Sequence, residues 1–150
     1  MAITFTLGTT AETNIVSQAD ISGSKSLTLE IKTLNDTVNS STDISLYTYY
    51  WYFIDKPAGT SASIDNSAHV NDYQVSLNSI DTWGTYRLFV IAKQTADPGT
   101  HKSEENPLKA PETHFINVTV KSTNNDLEKP ANFQRNWKDQ YNKLVNIVIF

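Results

Sequence analysis

In a chain with no cysteine, His69, His101 and His114 are the residues best suited to metal or acid–base chemistry. Such chemistry needs two donors on one face, and His-x-Glu or His-x-x-x-His spacing would supply them. Neither spacing occurs, and each histidine falls in a different predicted element, so all three are expected at the surface. No serine sits in a Gly-x-Ser-x-Gly elbow, which is the strained turn that presents an activated hydroxyl. The five glycines are too scattered to cradle a phosphate at a helix start. Asp65, Asp72 and Asp81 lie near predicted loop ends, where carboxylates can bind calcium, but they form no Asp-x-Asp-x-Asp cluster. Asn35, Asn39 and Asn117 begin Asn-x-Ser/Thr tripeptides, which arise by chance in a chain this rich in Ser, Thr and Asn. No catalytic residue, metal ligand or cofactor is assigned, and the chain is expected not to be an enzyme.

The chemistry that remains is contact. In residues 44–54, Tyr47, Tyr49, Trp51 and Phe53 alternate with Leu46, Tyr50, Tyr52 and Ile54, so a strand here is apolar on both faces. With Trp51 turned inward, Tyr50 and Tyr52 either pave the outer sheet face or form a binding surface, a role in which tyrosine is enriched. A second contact candidate lies at the C-terminal end. Phe133, Trp137, Tyr141 and Leu144 recur at spacings of four, four and three and so share one helical face. After them comes the strand-prone Val145-Asn146-Ile147-Val148-Ile149-Phe150, with Ile147, Ile149 and Phe150 as further contact residues, and the whole segment either anchors the chain to a partner or folds back over the outer face of Tyr50, Tyr52, Phe89 and Ile91.

The elements that would position these residues are strands. Residues 3–7 place Ile3, Phe5 and Leu7 on one face, and residues 27–32 place Leu27, Leu29 and Ile31 inward with charges outward. A short strand at 61–64 follows the turn Lys56-Pro57-Ala58-Gly59, and residues 73–77 put Tyr73, Val75 and Leu77 inward. Residues 85–93 alternate Tyr86, Leu88, Val90 and Ala92 with Arg87, Phe89 and Ile91. Residues 114–121 turn Ile116, Val118 and Val120 inward. Between these last two strands, residues 94–113 carry three prolines and many charges and are expected to form a long exposed loop. About seven strands with no helix among them predict an all-β sandwich over residues 1–122, with a helix and terminal strand appended over 123–150.

Net charge of −4 offers no attraction to nucleic acid or an anionic membrane, and no apolar run reaches the length of a span. The first residues, Met1-Ala2-Ile3-Thr4-Phe5, alternate as a strand does and lack the basic start and apolar run of a secretory signal.

The block Tyr50-Trp51-Tyr52-Phe53, Lys56-Pro57-Ala58-Gly59, Ser61 and Trp83-Gly84-Thr85-Tyr86-Arg87-Leu88-Phe89-Val90 resembles the polycystic-kidney-disease (PKD) type of immunoglobulin-like domain. The family pattern has a core tryptophan, a Pro-x-Gly-Ser/Thr turn and a Gly-x-Tyr-x-Leu-x-Val strand. The resemblance covers roughly residues 25–122 and implies an immunoglobulin-like sandwich with Trp51, Gly84 and Tyr86 as its core signature. It departs from the pattern at 94–113 and over the last 28 residues. Such modules occur on tailed-bacteriophage capsid decoration and other virion surface proteins. The resemblance therefore implies a structural role on a virion surface, with assembly in the bacterial host cytoplasm. The expected partner is a major capsid protein or another virion subunit. A cell-surface glycan stacked on Tyr50, Tyr52 or Trp83 is the alternative, and self-association in a tail or fibre is a third.

Overall fold

The computed structural model describes residues 2–9, 15–17, 25–67 and 70–121. Within them the chain forms eight strands: β1 (Ile3–Thr9), β2 (Ile15–Ser17), β3 (Lys25–Asp36), β4 (Tyr47–Asp55), β5 (Ser63–Asp65), β6 (Gln74–Ile80), β7 (Gly84–Gln94) and β8 (Phe115–Lys121). One sheet has the order β1-β3-β6-β5 and the other β2-β8-β7-β4. All pairings are antiparallel except the short parallel pair β2–β8. The predicted all-β sandwich is thus the observed architecture, while the helix and strand expected over 123–150 lie outside the described residues.

The alternation in the sequence becomes the core. Ile3 and Phe5 of β1, Leu29 and Ile31 of β3, and Val75 and Leu77 of β6 meet Tyr47, Tyr49 and Trp51 of β4, with Tyr86, Leu88, Val90, Ile116 and Val118 completing the second sheet. Three register shifts interrupt the ladders, one of them between Phe53 and Asp55 of β4, and the other two change which residues of β3 and β6 face inward. In β3, Thr6 and Leu7 are consecutive on β1 but oppose Thr33 and Ile31, so Lys32 is an extra residue. The inward set consequently switches from Leu29 and Ile31 to Leu34 and Asp36. In β6, an extra residue beside left-handed Ser79 (φ 59°) turns Ile80 inward after Val75 and Leu77.

The structure corrects several local expectations. Residues 44–46 are a single 3-10 turn, not strand: Asp43 caps it by accepting from Ser45 N at 3.0 Å. Tyr73 is 38% exposed and not inward. Left-handed Asn71 and Asp72 immediately precede it and delay entry into the regular part of β6. The 94–113 segment is only partly an exposed loop, because residues 101–103 continue the ladder along β7 above the start of β8. Ser103 N donates to Ala92 O at 2.8 Å, Gln94 N donates to His101 O at 2.9 Å, and Ser103 is buried.

The signature residues have clear mechanical roles. Trp51 packs into the core from edge strand β4, and its Nε1 donates to Asp72 O at 2.7 Å. This bond, with Asn71 Nδ2 donating to Ser45 O at 2.8 Å, holds the 70–72 turn beside edge strand β4. Tyr86 is buried, yet its hydroxyl donates to Thr82 O at 2.8 Å, which fastens the corner that leads into its own strand. Gly84 opens β7 at φ 127°, and a Cβ there would come within 2.9 Å of Pro57 Cγ. Gly84→Ala is therefore expected to lower stability by roughly 2 kcal/mol through backbone strain and this clash. Tyr86→Phe, which keeps the ring but leaves the corner carbonyl unpaired, is expected to cost about 1 kcal/mol. Urea unfolding midpoints at constant slope would measure both.

Candidate functional site

Two places gather polar or aromatic side chains from separate elements. The first is Asp36, aimed inward by the β3 bulge and with no exposure to solvent. Its Oδ1 accepts from Val38 N (3.1 Å) and Asn39 N (3.2 Å). Its Oδ2 accepts from Asn39 Nδ2 (3.2 Å) and the Tyr47 hydroxyl, and lies 2.6 Å from His101 Nε2. Burial by itself would raise the carboxyl, but the bonds from Tyr47, His101 and the Asn39 backbone outweigh it and hold the group at about 2. Burial, followed by the adjacent carboxylate, pushes the Tyr47 hydroxyl up to about 12. A carboxylate ionised throughout the neutral range cannot act as a general acid, and Asp36 and Tyr47 have no surface that a substrate could touch. The cluster is a tie. It joins the end of β3 in one sheet to the start of β4 and the 101–103 segment in the other.

Two histidines expected at the surface are therefore not there. His101 is drawn in by Asp36, and His114 is fully buried with its ring stacked on Phe5 at 3.9 Å. His69 lies outside the described residues. Among the described residues, no group of three or more His, Asp or Glu is arranged to hold a metal ion. Asp81 instead ties its own turn to the one that follows β4, accepting from Thr60 Oγ1 at 2.6 Å and Ser61 N at 3.2 Å.

The second place is the outer face of the β2-β8-β7-β4 sheet. Antiparallel partners share a face, so the register lays Tyr50 beside Ile91, and Tyr52, Phe89 and Phe115 in one row across three strands. Phe89 and Ile91 are buried, but on the edge strand Tyr50 and Tyr52 remain 37% and 46% exposed and Ile54 is exposed beside them. Tyr50 and Tyr52 stand at alternate positions, and Ile54 is the extra residue where the pairing with β7 slips between Phe53 and Asp55. The Phe89 and Phe115 rings are 4.9 Å apart, and the Arg87 guanidinium lies 4.2 Å over Phe115. Arg87 is oriented by Glu112 (3.0 and 3.1 Å) and Asn117 (2.9 Å). Lys93 Nζ stands 4.8 Å over the Tyr50 ring and 3.7 Å from Glu105, which also pairs with Lys102 at 2.9 Å. Cations over aromatic faces hold these side chains in place.

Of the predicted contact residues, the structure brings Tyr50 and Tyr52 together on this face. Phe133, Trp137, Tyr141, Leu144, Ile147, Ile149 and Phe150 lie outside the described residues. Trp83 is partly buried against the core. Sequence reasoning missed Asp36, Arg87, Lys93 and Phe115. The apolar second face of residues 85–93 was the available signal for the last three, because an apolar outer face on a central strand needs neighbours. Among the described residues no helix is long and apolar enough to cross a membrane.

No family model, curated protein or solved structure matches the chain.

The Asp36 tie sets a pH dependence. Its folded value of about 2 lies below the ordinary 3.8, so its contribution is complete above about pH 5 and is lost as pH falls through 3.8 towards 2. Asp36→Asn is expected to cost roughly 3 kcal/mol at pH 7 by leaving Tyr47 and His101 without the charge they bond. The gap between variant and parent should narrow progressively below pH 4 in urea unfolding at a series of pH values.

Proposed function

We propose that the chain is a non-enzymatic contact module, an immunoglobulin-like sandwich of the PKD kind carried on a bacteriophage particle as a capsid decoration or head-surface protein. It holds a protein partner through the outer face around Tyr50 and Tyr52. The observation that carries this reading is the exposed strip Tyr50, Tyr52 and Ile54 on an edge strand, backed by buried Phe89 and Ile91. A contact surface gains from aromatic side chains that lose little entropy on binding, and tyrosines held by cross-strand neighbours and an overlying lysine meet that condition. Support for the PKD kind comes from the corner made by the Tyr86 hydroxyl and Thr82 O, the core Trp51, and the Gly84 turn packed on Pro57. The virion setting rests on the family resemblance of the same block.

The exposed pair of tyrosines also favours a second reading, a module that stacks cell-surface sugar rings on Tyr50 and Tyr52. The two readings part on the partner. Mass spectrometry of density-banded particles from cells that encode the chain is expected to find it at a fixed ratio to the major capsid protein. Recovery only in the soluble fraction, together with retention on a glycan surface, would favour the sugar reading. In the virion reading, Tyr52→Ala should weaken binding to particles lacking the protein by about thirtyfold, the loss of one aromatic anchor worth roughly 2 kcal/mol. The folded stability should change little, since the side chain is half in water.

A further inference from the structure

His114 is buried in an environment made for an apolar ring. It begins at the last residue of the 3-10 turn before β8, lies flat against Phe5 at 3.9 Å and 8°, and neither Nδ1 nor Nε2 meets a hydrogen-bond partner among the described residues. Burying two polar ring atoms without partners is already costly, and burying the imidazolium would be far more so. Among the described residues, the elements around the ring offer no counter-charge. Inward β1 residues Ile3 and Phe5 and inward β8 residues Ile116, Val118 and Val120 are apolar. Glu112 is turned away to Arg87. Tyr49, edge-on to Phe5, sends its hydroxyl to Ile44 O. Asp36, two places along β3 from the partner of Phe5, already receives five donors.

We propose that His114 is an acid-operated latch on the first strand: once its ring takes a proton, β1 leaves the sandwich to let water reach the imidazolium, while the remaining strands stay paired. β1 is the element that yields because in the described sheet it is an edge strand laddered to β3, that ladder is interrupted between Thr6 and Leu7, and its Phe5 forms one wall of the slot. By contrast, β8 lies between β7 and β2. Burial alone brings the ring from 6.5 down to about 4, so the closed state is fully favoured above pH 6.5 and loses that advantage as pH falls towards 4. The same shift limits the effect to the order of a hundredfold in the open-to-closed ratio. The inference does not depend on the virion reading, since the latch and the outer face of β4 share no residue.

Amide hydrogen exchange on the full chain, corrected for intrinsic rates, tests it between pH 7 and pH 4 in the parent and in His114→Phe, which keeps the stack and cannot protonate. The parent is expected to lose at least tenfold protection in β1 over this range with β7 unchanged, and the variant to show no loss. Four results would overturn the latch: retained β1 protection in the parent, equal loss in both proteins, loss in residues 104–113 in place of β1, or simultaneous loss across all strands. If His114→Phe does not fold, His114→Leu replaces it. If neither folds, the parent decides: loss of β1 protection must track the His114 ring proton shift, and a mismatch between the two sinks the proposal.

Discussion

The structure turns on a carboxylate that has no access to water. Asp36 stays ionised inside the sandwich only because every donor around it is in place, and those donors come from three separate stretches of chain: the 37–40 turn, the start of β4 and the segment that follows β7. An apolar core holds two sheets together without direction, whereas a buried charge with five donors specifies where each stretch must end. The short ladder of residues 101–103 along β7 and the cap at Asp43 both belong to the stretches it ties together. That arrangement gives β4 a fixed start, and the register of every aromatic residue along it follows.

β4 is also where the protein departs from what stability alone requires. A strand at the margin of a sheet usually turns polar residues outward, yet here Tyr50, Tyr52 and Ile54 face solvent. Behind them Phe89 and Phe115 pack together, and Arg87 and Lys93 lie over aromatic rings while engaging Glu112 and Glu105. The result is a braced, mixed apolar and cationic surface on one side of the sandwich.

Asp36 and His114 are a contrasting pair. Both are fully buried, but one is saturated with donors and the other meets no hydrogen-bond partner among the described residues. The carboxylate resists acid until well below its ordinary range, while the imidazole becomes a liability within the mildly acidic range. Acidification therefore strikes the β1 side of the molecule before it strikes the tie between the sheets.

Much of this was written in the order of residue types. Alternation in β1, β4, β7 and β8, and in β3 as far as its bulge, determined the strands and their inward faces, because a side-chain period of two gives an uninterrupted strand one inward set, and Trp51, Gly84 and Tyr86 marked a core ring, a tight turn and a corner. Tyr50 and Tyr52 were legible as outward for the same reason. What only the tertiary structure decided depends on contacts distant in sequence. The extra residue in β3 reverses the alternation and sends Asp36 inward, and no local pattern shows a bulge that exists only relative to the partner strand. His101 looked like a surface histidine until Asp36, 65 residues away, met it. His114 looked the same until Phe5, at the far end of the chain's described part, covered its ring. A histidine's burial is set by what arrives from elsewhere, and its own neighbours in sequence carry no record of that.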